Sequence, residues 1–177
     1  MRRLIVLFIM LSLIPPAFTA DLGSMRISWA GEDGFAIRNL SNGAFVYSDR
    51  DYVFSNLPAC LQHQAYLLTP NKSKFNRDDR LVRLVHEGNF VIFIGYDDRY
   101  RTRPDWLNRE YDLVPYMTAN VLDARSNRQI FRFQFYRSKS LVRPRTPILL
   151  GGNIAPQVHD NFAMYTAVFV PHDIECP

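Results

Sequence analysis

The sequence predicts an all-β domain, a jelly-roll-like β-sandwich of about eight to ten short strands with little or no helix once its leader is removed. Three observations carry that expectation. Short apolar runs, alternating or uninterrupted, recur along the chain and are separated by Gly, Pro, Asn and Asp. No stretch after the leader keeps a helical apolar period between recognisable caps. Apolar residues are 47% of the 177 and charged residues 21%, a globular balance with enough apolar mass for one core.

Taken in order, Met25-Arg26-Ile27-Ser28-Trp29 alternates, and Phe35-Ala36-Ile37 follows the turn Gly31-Glu32-Asp33-Gly34. Ala44-Phe45-Val46-Tyr47 comes after Asn42-Gly43, a dipeptide suited to a tight hairpin turn. Tyr52-Val53-Phe54 and Ala65-Tyr66-Leu67-Leu68 are further strands, with room for one short helical turn in Leu57–Gln64 between them. Leu81–Val85 and Phe90–Ile94 flank Glu87-Gly88-Asn89 and read as a hairpin. The second of these is apolar on both faces and so belongs at the centre of a covered sheet. Val114–Leu122 is ambiguous, because Pro115 confines it to an edge strand or a loop. Phe131, Phe133 and Phe135 alternate with Arg132, Gln134 and Tyr136, one buried face and one wet. Pro147–Leu150 and Met164–Val170 supply the last strands.

The first twenty residues are of another kind. Met1-Arg2-Arg3 precedes the apolar Leu4–Ile14, and Pro15-Pro16-Ala17-Phe18-Thr19-Ala20 follows. That is the layout of a secretory signal peptide over residues 1–20, cut after Ala20. As a helix the apolar stretch would rise about 16 Å, against a hydrocarbon core of about 30 Å, too short for a membrane anchor. The mature chain is then a single domain over residues 21–177, secreted or periplasmic, with no later segment able to span a bilayer. Its net charge falls from +4 to +2 when Arg2 and Arg3 leave. So weak a charge, with no recognised binding motif, argues against nucleic acid as a partner.

Cys60 and Cys176 can pair in one way only, and in an oxidising compartment a disulfide between them is expected. Asn39-Leu40-Ser41 and Asn71-Lys72-Ser73 are glycosylation sequons if exposed in a eukaryotic host.

A series of motifs runs through the chain. It begins at Asn42-Gly43-Ala44-Phe45-Val46-Tyr47-Ser48-Asp49-Arg50-Asp51-Tyr52-Val53-Phe54 and passes Pro58 and Ala65–Thr69. Tyr96-Asp97-Asp98-Arg99, Pro104-Asp105-Trp106-Leu107, Leu150-Gly151-Gly152-Asn153 and Met164–Pro171 continue it. From about Asn42 to Pro171 the chain resembles a β-sandwich accessory module, of the galactose-binding-like, jelly-roll type, found in secreted bacterial glycan-active proteins. The resemblance implies a sandwich fold and a presumed sugar ligand. Asn108–Arg128 departs from the pattern, being charged and irregular where a short polar turn belongs.

Tyr96–Arg109 is the stretch richest in candidate chemistry. Asp97 and Asp98 could accept hydrogen bonds from sugar hydroxyls, or could ligate a structural Ca²⁺. They could equally form an ion-paired corner with Arg99, and alternation along a strand sends the two to opposite faces. Trp106 or Tyr100 could offer an apolar platform to a pyranose, or Trp106 could plug the sandwich edge. Gly151-Gly152-Asn153 suits a tight turn at a strand end. Trp29 and the many Phe residues are read as core. Two arginine-rich groups could hold an acidic polysaccharide if their loops converge: Arg99, Arg101, Arg103 and Arg109, and then Arg137, Lys139, Arg143 and Arg145.

Catalysis finds little support. His63, His86, His159 and His172 show no zinc-ligand spacing, and Ser48, Ser55 and Ser138 sit in no nucleophile elbow. The expectation is a non-catalytic carbohydrate-binding module without a cofactor, using Asp97, Asp98, Arg99, Trp106 and Asn153 at one end of the sandwich. The alternative is a protein-interaction module that binds no sugar. An apolar sheet face would favour the alternative, and a polar cleft the glycan.

Overall fold

A computed structural model describes residues 25–153 and 162–177. The expected signal peptide and its cleavage site lie outside the described residues, as do His159 and Asp160. Among the described residues ten strands form two antiparallel sheets, a β-sandwich. The smaller sheet has the order β1 (Met25–Ala30), β5 (Val82–His86), β9 (Ile148–Leu150). The larger is seven-stranded: β2 (Ala36–Asn39), β4 (Ala65–Leu68), β10 (Thr166–Pro171), β6 (Phe90–Asp97), β8 (Gln129–Ser138), β7 (Tyr111–Asp123), β3 (Tyr52–Ser55). One short helix, α1 (Asp105–Glu110), and two 3-10 turns, Ala59–Leu61 and Asn71–Phe75, complete the described elements. No helix among the described residues is long and apolar enough to cross a membrane.

The double-sided apolar run becomes β6, the middle strand of the large sheet, with Ile92, Phe93 and Ile94 all buried. Beside it, Phe131, Phe133 and Phe135 of β8 point inward while Arg132 and Arg137 face water. Phe133 packs on Phe54 of β3, whose ring meets Tyr66 of β4 edge to face. Leu84, Ile148 and Leu150 close the core from the small sheet.

Three sequence expectations are corrected. The stretch Glu87-Gly88-Asn89 is no hairpin turn, because β5 pairs with β1 and β9 while β6 pairs with β10 and β8. The link instead carries the chain from one layer to the other. The apolar faces of both strands are buried more completely in stacked layers than in one sheet. His86 holds the crossing, its ring nitrogens 2.7 Å from the Gly88 carbonyl and 3.0 Å from that of Thr146. Next, Ala44–Tyr47 is not a regular strand and makes only single bridges, Phe45 to Val53 and Tyr47 to Thr69. Of its turn pair only Gly43 takes a positive φ, 85°, so the turn lacks the twist of a hairpin. Finally, Asn108–Arg128, expected to be irregular, is largely the thirteen-residue β7.

Pro115 is accommodated in β7 by an interruption of register between Leu113 and Thr118. The bulge leaves Tyr116 98% exposed at φ 63°. Gln134 of β8 fills the gap, its Nε2 donating to the carbonyls of Val114 at 2.8 Å and Met117 at 3.0 Å.

Cys60 and Cys176 form the expected disulfide, with Cα atoms 5.5 Å apart across a separation of 116 residues. It ties the tail that follows β10 to the 3-10 turn before β4. Closing a loop of that length is worth about 4–5 kcal/mol through the unfolded chain. Replacing both cysteines by serine is expected to lower the unfolding free energy by about 3–5 kcal/mol, seen as a lower urea midpoint. A reductant should then have no further effect on the double variant.

Burial also makes a prediction for alkaline pH. It pushes six phenols, Tyr47, Tyr66, Tyr96, Tyr100, Tyr111 and Tyr165, above their ordinary value of 10.0, Tyr66 to about 12. Unfolded phenols ionise near 10 while the folded ones keep their protons. Stability from burying them is therefore whole below pH 10 and lost progressively as pH rises toward the folded values. In an alkaline titration, tyrosinate absorbance from these residues should rise together with loss of the far-ultraviolet circular dichroism. An early, separate rise accounting for all of them would contradict their burial.

Candidate functional site

The five residues singled out in the sequence do not share one surface. Asp97, the last residue of β6, is buried and its carboxylate is saturated from within. Arg99 donates through Nε to Oδ1 at 2.9 Å and through Nη2 to Oδ2 at 2.6 Å, a bidentate pair. The backbone N–H of Arg99 adds a bond to Oδ1 at 3.1 Å, and that of Ala163 one to Oδ2 at 3.0 Å. The Arg99 guanidinium lies over Phe131 and Phe162, 4.9 and 5.7 Å from the ring centroids. Its hydrogen bonds to Asp97 hold it still more firmly protonated than an ordinary arginine.

Asn153 is also fully buried, donating through Nδ2 to the Tyr100 hydroxyl at 2.9 Å and the Ala163 carbonyl at 3.0 Å. Asp97, Arg99 and Asn153 thus meet, but as an internal clamp on the segment entering β10. Asp98 points the other way, as alternation requires, and pairs on the surface with Arg132 Nε at 2.8 Å. No group of three or more His, Cys, Asp or Glu among the described residues is placed to share a metal ion.

Trp106 plugs the sandwich edge and leaves part of its ring at the surface. Its indole meets Tyr111 and Tyr165 at 5.8 and 5.4 Å, and Nε1 donates to the Gly152 carbonyl at 3.0 Å. Gly151 makes the contact possible, since a Cβ there would lie 2.9 Å from Trp106 Cδ1. The half-buried ring also forms one wall of a surface cleft of about 940 Å³.

Of the five predicted residues, Trp106 lines this cleft. α1 and the loop before it, Thr102–Pro104, make one side. Pro147 and Leu149, at the free edge of β9, make the other, and Asp79 and Arg80 close one end. The helix arises where Pro104 stops the preceding loop, with Asp105 in its first turn and Arg109 in its last, both matched to the helix dipole. Charge in the cleft is balanced. Arg80, Arg103 and Arg109 line it together with Asp79, Asp105 and Glu110, and Arg109 pairs with Glu110 at 3.0 Å.

The two arginine-rich groups meet through Lys139, which lies outside the cleft lining. Arg103 stacks on Tyr136, 5.0 Å from its centroid. Lys139 Nζ donates to the carbonyls of Asn108 and Arg109 at 3.3 and 3.1 Å. Arg145 lies elsewhere, paired with Glu87. Of the sequons, Asn39 is exposed, whereas Asn71 is buried and accepts the Met164 N–H at 3.0 Å, which closes it to glycosylation.

Sequence reasoning passed over Arg80 and Leu149, and it placed Trp29 in the core. Trp29 is instead 49% exposed, because register shifts between Ile27 and Trp29 and the extra residue reverses the alternation of β1. No pattern within the pentapeptide marks that bulge.

No protein-family profile matches the chain, and no curated protein matches it. Among solved structures, a β-glucuronidase from glycoside hydrolase family 2 is similar in fold, with a TM-score of 0.71 at 22% sequence identity. The match covers 83% of this chain and 14% of that enzyme, so the chain spans only a small part of its length. At that identity the likeness shows the sandwich fold.

The two adjacent aspartates separate scaffold from surface. Asp97→Ala is expected to destabilise by about 3–5 kcal/mol, since it leaves Arg99 and the Ala163 N–H without their partner. Asp98→Ala should change stability by less than about 1 kcal/mol. Urea unfolding of the two variants checks the contrast, and equal effects would contradict it.

Proposed function

We propose that this is an exported, non-catalytic module that binds glycan in the cleft between α1 and β9. One observation carries the reading: a concave site walled by an aromatic ring and rimmed by charged side chains of both signs. Pyranose rings have an apolar face and a hydroxylated edge. A half-exposed indole suits the first, and arginine and carboxylate side chains suit the second. A protein-interaction site of ordinary type would be flatter and centred on apolar residues. The solved structure of similar fold comes from an enzyme named for its action on glucuronides, which supports a glycan-related role. The disulfide supports export, as such bonds persist in oxidising compartments.

The direct test is binding of the purified, disulfide-bonded protein to neutral and acidic polysaccharides, with calcium and with chelator. Saturable binding to one glycan class is expected. Arg80→Ala and Arg109→Ala, both at exposed positions, should each weaken it about three- to tenfold. Their thermal midpoints should stay within about 2 °C of the parent. Trp106→Ala is a poorer probe, because it also opens the sandwich edge and should destabilise by about 2–4 kcal/mol. Silence across the polysaccharides from a folded chain would make a protein partner the better reading.

A further inference from the structure

The cleft does not end at β9. Leu149 lines it and is also the first residue of a row that crosses the outer face of the small sheet. Leu149 pairs with Arg83 of β5, and Arg83 pairs with Trp29 of β1. Directly paired residues in antiparallel strands project to the same side, and all three are exposed, Leu149 by 44% and Trp29 by 49%. Three strands set the row at about 10 Å from end to end, the scale of a disaccharide. The adjacent row, Arg26 beside Val85, adds a second arginine. Neither Arg26 nor Arg83 has an ion-pair partner among the described residues, and neither row contains an acid.

Trp29 is built as a platform. The bulge at Ser28 turns it outward, and Ser28 Oγ fixes that bulge by donating to the Arg83 carbonyl at 3.1 Å. The indole then reaches along its own strand over Gly31, where a Cβ would lie 3.5 Å from Cη2.

We propose that the outer face of the small sheet, through Trp29, Arg83 and Arg26, is an extended subsite for an anionic polysaccharide whose chain continues from the cleft across Leu149. The inference rests on the glycan reading of the cleft and adds to it the sign of the ligand's charge. The cleft itself is balanced in charge, so selection for carboxylate or sulfate falls to the unneutralised arginines of the sheet. Guanidinium pairs bidentately with either group. A polymer crossing the edge of β9 would engage the cleft and the sheet face in one span, gaining affinity with length that a short sugar cannot.

The test compares wild-type protein with Trp29→Ala, Arg83→Gln and Arg109→Ala. Calorimetric titrations use oligogalacturonates of two and eight residues, a sulfated heparin octasaccharide and neutral maltooctaose. The wild type is expected to bind at least one anionic octasaccharide about tenfold or more tighter than the dimer and the neutral chain, with an affinity that falls as salt rises. Which octasaccharide gains identifies the anion as carboxylate or sulfate. Trp29→Ala and Arg83→Gln should each remove most of that gain while leaving dimer binding and the thermal midpoint unchanged. Arg109→Ala should instead weaken short and long ligands alike. Loss with Arg109→Ala but not with Trp29→Ala or Arg83→Gln overturns the sheet-face subsite and leaves the cleft standing. Equal affinity for neutral and anionic octasaccharides overturns the charge selection. Absence of binding by the wild type to every sugar overturns both the subsite and the glycan reading beneath it.

Discussion

The four residues that lead into β10 pair with no strand among the described residues, and the fold depends on how their backbone is satisfied. Phe162 to Tyr165 run through the interior, where unpartnered peptide groups are expensive. Side chains from across the molecule supply the missing bonds. The Ala163 N–H goes to Asp97 and its carbonyl to Asn153. The Met164 N–H goes to Asn71 and its carbonyl to the Tyr47 hydroxyl. Lys74 donates to the Phe162 carbonyl and Thr69 to that of Tyr165. These donors and acceptors come from the end of β6, from the segment after β9, from the 3-10 turn at Asn71–Phe75 and from the loops before β3 and after β4. The two sheets are therefore held in register by a polar ring around one extended segment as well as by apolar contact. Such a ring must be complete, because each missing member leaves a buried group without a partner.

This constraint explains why the most distinctive sequence motifs are structural. In Leu150-Gly151-Gly152-Asn153 every position has a packing reason. Leu150 is buried, Gly151 admits Trp106, and a Cβ on Gly152 would lie 2.3 Å from the Asn76 carbonyl oxygen. Asn153 belongs to the ring. Asp97 and Arg99 likewise look like ligand-binding groups in a linear sequence. A carboxylate and a guanidinium two residues apart read the same whether they face a sugar or each other. What separates the cases is burial, and one clue to it was visible. Asp97 ends a strand whose residues are apolar on both faces, so it continues into the interior, while Asp98 begins the return to solvent.

Elements whose physics is local were legible: the central β6 from its unbroken apolar run, the wet and dry faces of β8, and the disulfide from its two cysteines. Features set by distant contacts were not. Whether Glu87-Gly88-Asn89 joins partners in one sheet or crosses between layers is decided by which strands β5 and β6 find elsewhere. β7 survives Pro115 because Gln134 takes over the carbonyls left by the bulge, an exchange between strands about twenty residues apart. The bulge in β1 is of the same kind. One extra residue opposite β5 reverses the parity of the strand and converts Trp29 from a core residue into an exposed ring.

The division between scaffold and surface bears directly on where recognition can reside. A side chain whose hydrogen bonds are all spent inside the ring can exchange them for a ligand only by opening the core. Asp97 is bound in this way, with Arg99 and Asn153 held beside it at the segment entering β10, and the effect of all three on any ligand is to hold the walls in place. Asn153 sits at the end of the tripeptide that fixes Trp106, so the clamp and the cleft wall are joined by three residues of rigid backbone. The groups that present capacity to solvent are outside the ring: the exposed face of Trp106, Arg80 at the end of the cleft, and Arg83 and Trp29 on the small sheet. Trp106 apart, binding built there can vary without disturbing the fold. That independence is what a sandwich of this kind offers as a scaffold, since the clamp sets the shape and the outer face sets the partner.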